Sequence, residues 1–168
     1  GIFDSRPKSS RPVAFIEDCA IPVERLGEFV REVEKILLAQ GAEAAFYAHA
    51  SAGCLHIRPI IDLKTARGVI QLRSIAQEVL ALTVRLGGAM SSEHGDGLAR
   101  AEWLEETYGA ELIGVMKDIK EVADPDHIFN PEKFYDAPLM DANLRYGAGY
   151  IAQPWKPALL FSHEAGLS

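Results

Sequence analysis

The sequence has few of the features that mark secreted, membrane-spanning or nucleic-acid-binding proteins. Its two cysteines, Cys19 and Cys54, show neither CxxC spacing nor a disulfide framework, which favours a reducing, cytoplasmic compartment. No apolar run approaches the roughly 20 residues that span a bilayer, and no signal-peptide core opens the chain. Against 24 acidic residues there are 17 basic ones and no basic run, so we do not expect a nucleic-acid partner.

Both ends of the sequence suggest a fragment of a longer polypeptide. The chain starts at Gly1 without an initiator Met, and residues 147–168 hold apolar side chains at no regular spacing. Such a tail usually needs another part of a protein to pack against. The length of 168 residues suits one domain but is short for an enzyme that also carries a dinucleotide. We expect one domain over residues 1–135 and an irregular tail over residues 136–168.

The hydrophobic periods predict the element order β-α-β-β-α-β. Alternating or continuous apolar runs predict strands at residues 12–18, 44–48, 54–60 and 89–94. Apolar positions three and four residues apart predict helices at residues 23–40 and 65–86, with further helices at 98–108 and 110–122. This order predicts an α+β fold of the ferredoxin-like (split βαβ) type, an antiparallel sheet with helices on one face plus C-terminal helices.

Histidine and carboxylate side chains occur where three predicted strands end. His49 and His56 flank the small hairpin loop, and Glu93 and His94 end the fourth strand. Two imidazoles and one carboxylate commonly bind a divalent metal and leave a position open for substrate, and a neighbouring imidazole can accept a proton near neutral pH. The alternative is that these are hydrogen-bonded structural histidines and a surface carboxylate, and spacing alone leaves the two interpretations about even.

Three motifs, in order, resemble those of the FAD-linked oxidases of the vanillyl-alcohol-oxidase type. They are the H-x-x-x-G-x-L-H segment from His49 to His56, the S-E-H-G-D-G segment at residues 92–97, and the D-P-x-x-x-x-N-P-x-K segment at residues 124–133. Residues 52–59 and 140–146 are similar to the large bacterial members, which carry a further iron–sulfur region and are described as D-2-hydroxyglutarate or D-lactate dehydrogenases. Together the segments cover nearly the whole chain.

The resemblance implies that this chain is the substrate-side cap of a dehydrogenase for a small-molecule 2-hydroxy acid (D-lactate, D-2-hydroxyglutarate or glycolate). His49, His56 and Glu93 match the metal ligands, for zinc or manganese, and His94 matches the catalytic proton acceptor. FAD would be bound mainly by a domain absent from this chain, and an iron–sulfur cluster by a missing downstream region. Those two regions would be its partners, and a homodimer through an exposed apolar face is a further expectation.

Four other residues are assigned by the resemblance. Arg58 stands where D-2-hydroxyglutarate dehydrogenases have Asn, and it suits a substrate carboxylate, although an ordinary strand-edge cation fits equally. Arg100 is expected to face flavin or substrate, with a solvated helix-start Arg as the alternative. Asn130 and Lys133 are expected to serve the junction with the flavin domain. We interpret Cys54, beside the site, as a packing residue.

Two other functions fit the same residues. A non-catalytic small-molecule or metal-binding module on a ferredoxin-like fold is one, since that fold hosts many functions. It predicts a self-sufficient domain without an exposed apolar face, whereas the cap of a larger enzyme predicts one. A metallohydrolase ranks last, because no further carboxylate is placed to activate a water. We expect a cytoplasmic protein, with peripheral contact to the inner membrane left open.

Overall fold

The computed structural model describes residues 10–144, 147–149 and 151. The sheet has four strands: β1 (Arg11–Pro12), β2 (Cys19–Ala20), β3 (Glu43–His49) and β4 (Cys54–Ile61). The long helices are α1 (Leu26–Ala39), α2 (Ala66–Arg85) and α5 (Ala110–Ala123), and the short ones are α3 (Gly97–Arg100) and α4 (Leu104–Tyr108). Single 3-10 turns lie at Val23–Arg25, Ala50–Ala52 and Ala101–Trp103. Within the described residues, no helix is both long and apolar enough to cross a membrane.

The sheet is antiparallel throughout and confirms the predicted α+β class. Strand β4 pairs with β3 along one edge and with β1 and β2 along the other. Ala20 of β2 then forms a single bridge with Ala89. The spatial order is therefore that of the ferredoxin-like fold, with the first strand between the hairpin and the segment that follows α2.

The first predicted strand is interrupted, which sequence periodicity did not predict. Its pairing with β4 runs from Pro12↔Ile60 to Cys19↔Leu55, so that residues 13–18 oppose only residues 56–59. The two extra residues leave the regular ladder, and Asp18 adopts a left-handed backbone with φ 60°. The strand expected over residues 12–18 is thus two short strands joined by a bulged segment.

The fourth predicted strand, residues 89–94, is wrong apart from the bridge at Ala89. The physical reason is a competing acceptor, because the backbone amides of Ser92, Glu93 and His94 all donate to the carboxylate of Asp18. The segment therefore runs beside the sheet without joining its ladder. The helix expected over residues 98–108 is likewise divided by the 3-10 turn at Ala101–Trp103.

The core lies between one face of the sheet and helices α1 and α2. Alternate residues of β4 share a face, so Leu55 and Ile57 point into this core. The helices contribute Phe29, Val33 and Leu37 of α1 and Leu72, Ile75, Ala76, Val79, Leu80 and Leu82 of α2. A second cluster of Ala101, Leu104 and Ile113 joins α4 to α5. The opposite face of β4 is therefore free to carry polar groups.

Candidate metal and substrate site

The β3–β4 hairpin places four chemically active side chains on the sheet face that lies away from the helices. In the ladder, Tyr47 pairs with His56 and His49 pairs with Cys54. Side chains alternate along a strand, so these four share one face, and directly opposed residues have Cβ atoms about 4.5–5.5 Å apart. Gly53 closes the loop with φ 70°, and a Cβ there would lie 2.0 Å from the carbonyl oxygen of Ile21. The close turn therefore depends on glycine.

The segment after α2 is held beside this face by the buried carboxylate of Asp18. Its Oδ2 accepts hydrogen bonds from the amides of Ser92, Glu93 and His94 at 3.0, 2.9 and 2.8 Å, and from the Ser91 hydroxyl at 3.0 Å. Three consecutive amides that converge on one oxygen fix the backbone from which Glu93 and His94 project. Asp18 thus determines where two predicted site residues stand.

Arg100 is the cationic partner of this carboxylate. The Arg100 side chain is 8% exposed, and its Nη1 lies 2.9 Å from Asp18 Oδ1. It also donates to the backbone carbonyls of Glu17 and Gly95. Burial raises the pKa of Asp18, but the His94 and Glu93 amides and the Arg100 charge lower it by more, so that this pKa lies below its ordinary value. The role of Arg100 as a substrate contact stays a prediction, and the contacts seen here serve the Asp18 carboxylate.

The three predicted metal ligands converge. Glu93 Oε1 lies 3.4 Å from His49 Nε2 and 3.2 Å from His56 Nε2, and all three ligand atoms lie within 4.8 Å of one another. Two imidazole nitrogens and a carboxylate oxygen are donors that zinc and manganese accept. The donor set therefore fits a divalent metal ion.

His94 stands next to this cluster. Its Nε2 lies 3.6 Å from Glu93 Oε1, and its ring centroid lies 5.2 Å from that of His56. The side chains of His49, Glu93 and His94 are 60%, 45% and 47% exposed, whereas that of His56 is 2% exposed. The cluster is thus anchored in the protein by His56 and open to solvent on its other side, where a small molecule can approach.

Glu17 lies beneath the cluster. Its Oε1 accepts hydrogen bonds from Tyr47 Oη at 2.8 Å and Arg58 Nη2 at 2.6 Å, and it lies 3.6 Å from His56 Nδ1. Burial raises the pKa of Glu17, but the Arg58 and Tyr47 hydrogen bonds lower it by more, and the carboxyl pKa falls below its usual value. An ionised Glu17 therefore faces the buried ring nitrogen of His56 on the side away from Glu93.

A second set of potential ligands, Glu17, His56 and His94, also lies within 4.8 Å. The Arg58 guanidinium is 2.6 Å from Glu17 Oε1, and a cation bound there would be repelled by it. Among the described residues, His56 Nδ1 has no hydrogen-bond partner, so the nearby Glu17 carboxylate is the group placed to orient it. The His49, His56 and Glu93 set is therefore the better metal site.

Cys54 lies beside the cluster, as the sequence predicted. Its Sγ lies 3.5 Å from His56 Nε2 and 3.8 Å from Glu93 Oε1, and it accepts a hydrogen bond from the Ser92 hydroxyl at 3.0 Å. Cys54 is 3% exposed but, unlike Cys19, lies outside the hydrophobic core cluster. Its contacts are polar, and packing alone does not describe them.

The other predicted residues lie at the margin of the site or beyond it. Arg58 is half-buried, pairs with Glu17 and lies over the Tyr47 ring at 5.4 Å from its centroid. Asn130 and Lys133 are exposed on the segment after α5, whose first turn is held by Asp124 through the amides of Ile128 and Phe129. Neither residue is part of the histidine cluster.

Sequence reasoning missed Glu17 and Asp18 as parts of the site. Both are buried, at 6% and 0% exposure, although acidic residues are rarely buried without partners. The available signal was their position as two adjacent carboxylates at the end of an apolar strand. Only the interruption of that strand brings both side chains to the site, and its two-residue register change is not readable from the sequence.

Comparison with known proteins agrees with these observations. Residues 4–134 match the family described as FAD linked oxidases, C-terminal domain. The chain is 32% identical over 83% of its length to D-2-hydroxyglutarate dehydrogenase of Escherichia coli strain K12 and spans 14% of that protein. It is 37% identical over 73% of its length to D-2-hydroxyglutarate dehydrogenase of Pseudomonas putida, spanning 12% of it. It is also 31% identical over 73% of its length to D-lactate dehydrogenase of Archaeoglobus fulgidus and spans 27% of that protein. The chain therefore belongs to the family of FAD-linked oxidase C-terminal domains.

Proposed function

We propose that this chain forms the metal- and substrate-binding side of a flavin-linked dehydrogenase of 2-hydroxy acids, of the D-lactate, D-2-hydroxyglutarate or glycolate class. The observation that carries the proposal is the convergence of the His49, His56 and Glu93 ligand atoms within 4.8 Å, with His94 beside them. The dehydrogenases of 2-hydroxy acids among its relatives support the same reaction class.

The metal would be held by His49 Nε2, His56 Nε2 and a Glu93 oxygen. When bound, a divalent metal such as zinc or manganese lowers the pKa of a coordinated hydroxyl group. Glu17 supports this arrangement from below, since its ionised carboxylate faces His56 Nδ1 at 3.6 Å and favours the tautomer that leaves Nε2 free. Asp18 fixes the backbone of Glu93 on the other side.

His94 is proposed as the group that accepts the substrate hydroxyl proton. It is half-exposed and adjoins the cluster, and imidazole is the side chain that most often serves as a general base. Arg58 is proposed to attract the substrate carboxylate through the donors that its pairing with Glu17 leaves free. A contact between Arg100 and the substrate stays a prediction, since the nearest partners of Arg100 are the Asp18 carboxylate and the backbone carbonyls of Glu17 and Gly95.

The flavin and the iron–sulfur cluster are proposed to belong to other regions of a longer polypeptide. The size of the relatives supports this, since the chain spans only 14% of the Escherichia coli protein. A flavin, when bound, supplies the acceptor for the hydride that leaves the substrate α-carbon. Asn130 and Lys133, exposed after α5, are proposed to face the flavin region. The domain boundary at residue 135 is supported by the end of the family match at residue 134.

An exposed apolar stripe supports contact with those regions. Val115, Ile119 and Val122 lie on one side of α5 and are 51%, 64% and 86% exposed. Ile128 and Phe129, in the segment after α5, are also exposed, at 69% and 67%. We propose that this surface contacts the remaining polypeptide, with a homodimer as the alternative. We also propose a cytoplasmic location, with peripheral contact to the inner membrane as the alternative.

The test uses the native polypeptide that carries this chain, loaded with flavin and assayed with D-lactate, D-2-hydroxyglutarate and glycolate against an artificial electron acceptor. His94→Asn should lower kcat by at least the roughly 10²-fold that general base catalysis contributes, with metal content unchanged. His127→Asn, which changes an exposed histidine outside the cluster, should leave kcat unchanged. Metal binding without oxidation of any 2-hydroxy acid would instead indicate a non-catalytic metal-binding module.

A further inference from the structure

Cys54 lies in the same group of polar atoms as the proposed metal ligands. We propose that the Cys54 thiolate is a fourth ligand of the resting metal ion, beside His49, His56 and Glu93. This inference rests on the proposed metal site and adds to it a sulfur donor.

Four of the six separations among the proposed ligand atoms are close to those around one shared ion. With ligand bonds of about 2.0–2.3 Å, a tetrahedral site places its ligand atoms about 3.3–3.6 Å apart. The observed separations are 3.5 Å from Cys54 Sγ to His56 Nε2 and 3.8 Å from Sγ to Glu93 Oε1. Glu93 Oε1 lies 3.2 Å from His56 Nε2 and 3.4 Å from His49 Nε2. Cys54 Sγ donates to Glu93 Oε1, and the spacing of these atoms is also that of ligand atoms around one ion.

The hairpin register gives Cys54 this position. Cys54 pairs directly with His49 across the strands and precedes His56 by two residues, so that all three project from one face. Burial raises the pKa of the Cys54 thiol, and the hydrogen bond that the Ser92 hydroxyl donates to Sγ at 3.0 Å opposes this increase. The other thiol, Cys19, is fully buried in the hydrophobic cluster and donates to the carbonyl of Ile16 instead. Cys19 therefore serves as the control for Cys54, because it is a buried thiol outside the group of proposed metal ligands.

A sulfur ligand has two consequences for the site. A thiolate favours zinc over manganese, which prefers oxygen donors. Four protein ligands also complete a tetrahedron, so a 2-hydroxy acid enters only if Cys54 leaves the ion or the coordination number rises. On metal binding the thiol proton passes to solvent as the sulfur–metal bond forms, and no oxidant or reductant is required.

The experiment is a titration of the full chain with Co²⁺ alone, followed by absorption spectroscopy. Cobalt in a histidine–carboxylate site gives visible d–d bands, and a thiolate ligand adds a near-ultraviolet sulfur-to-cobalt charge-transfer band. Wild type should show both features. Cys54→Ser should keep the d–d bands and lose the charge-transfer band, whereas Cys19→Ala should keep both, and circular dichroism checks that each variant folds.

The outcomes separate this inference from the proposed function. Wild type with d–d bands but no charge-transfer band would remove Cys54 from the ligand set and leave the metal site standing. A charge-transfer band that survives in Cys54→Ser would also overturn the inference. No cobalt bands in any folded variant would overturn the metal site itself, and with it the inference.

Metal preference supplies a second measurement. Loss of a residue that only hydrogen-bonds a metal ligand already costs roughly tenfold in metal affinity. Cys54→Ser removes a ligand itself, so it should weaken Zn²⁺ binding by at least that roughly tenfold factor, while Mn²⁺ binding changes little. Isothermal titration with each metal alone measures the two affinities. Equal changes for Zn²⁺ and Mn²⁺ would contradict a sulfur ligand.

Discussion

Two adjacent carboxylates, Glu17 and Asp18, organise the site at the residue scale. Glu17 turns towards Tyr47, Arg58 and the Nδ1 side of His56, whereas Asp18 turns towards the amides of the segment that carries Glu93. Neighbours in a regular strand would point to opposite faces of the sheet. The left-handed backbone of Asp18 breaks that alternation and lets both side chains serve one region.

Asp18→Asn should destabilise the fold in a pH-dependent way. The variant leaves the buried Arg100 without its anionic partner, and breaking a buried ion pair from one side costs roughly 3–5 kcal/mol. The folded pKa of Asp18 lies below its ordinary value of 3.8, so its stabilisation is complete above that pH and is lost as the pH falls through the lower folded value. Urea unfolding of both proteins at several pH values measures the difference.

The control for this prediction is Asp126→Asn, which neutralises an exposed carboxylate and should change the unfolding free energy little. A gap between wild type and Asp18→Asn that stays constant as the pH is lowered well below 3.8 would contradict the role assigned to Asp18.

At the scale of secondary structure, elements with regular apolar spacing could be predicted from the sequence. Backbone amides that donate to a side chain instead of a strand could not be predicted. The hairpin and the helices α1 and α2 follow from apolar spacing and from their glycine and proline boundaries. The first strand is interrupted by two extra residues and the left-handed backbone of Asp18. The fourth strand is lost because the Asp18 carboxylate accepts hydrogen bonds from amides that a ladder would otherwise use. Apolar spacing indicates which face of an element is buried, but it does not indicate which acceptor a backbone amide binds.

Two glycine-to-alanine changes should have opposite effects on helix stability. At Gly68, near the start of α2, an added Cβ would lie 1.9 Å from the carbonyl oxygen of Asp62, so Gly68→Ala should destabilise by about 1–3 kcal/mol. At Gly114, inside α5, nothing lies within 4 Å, and Gly114→Ala should stabilise by about 0.5–1 kcal/mol. Urea unfolding of the pair measures both, and effects of the same sign would refute the packing described here.

At the scale of the whole molecule, the site lies on one face of the sheet and an apolar stripe lies on α5. The hairpin pattern predicted that His49 and His56 lie close together, and the motifs pointed to Glu93 and His94 as their neighbours. The sequence missed the supporting carboxylates and the polar contacts of Cys54, since these depend on how a bulged strand lies against a loop. The exposed apolar surface agrees with the expectation for the cap of a larger enzyme.

The apolar stripe should make the isolated chain self-associate. Replacing Ile119 and Val122 together by Lys puts two charges on that surface and should shift the sedimentation of the chain towards the monomer. Leu38→Lys, at an 80% exposed position on α1, serves as the control and should leave association unchanged. Sedimentation velocity at several protein concentrations measures the effect, and equal behaviour of all three proteins would argue against a contact surface on α5.

The most direct test of the central claim is Zn²⁺ binding by the full chain, measured by isothermal titration on wild type, His49→Ala and His127→Ala. His49 and His127 have similar side-chain exposure, at 60% and 59%, so that neither change should unfold the protein. One tight site is expected in wild type and His127→Ala, and at least a roughly tenfold loss of affinity in His49→Ala. Equally weak binding by all three proteins would contradict a metal site formed by His49, His56 and Glu93.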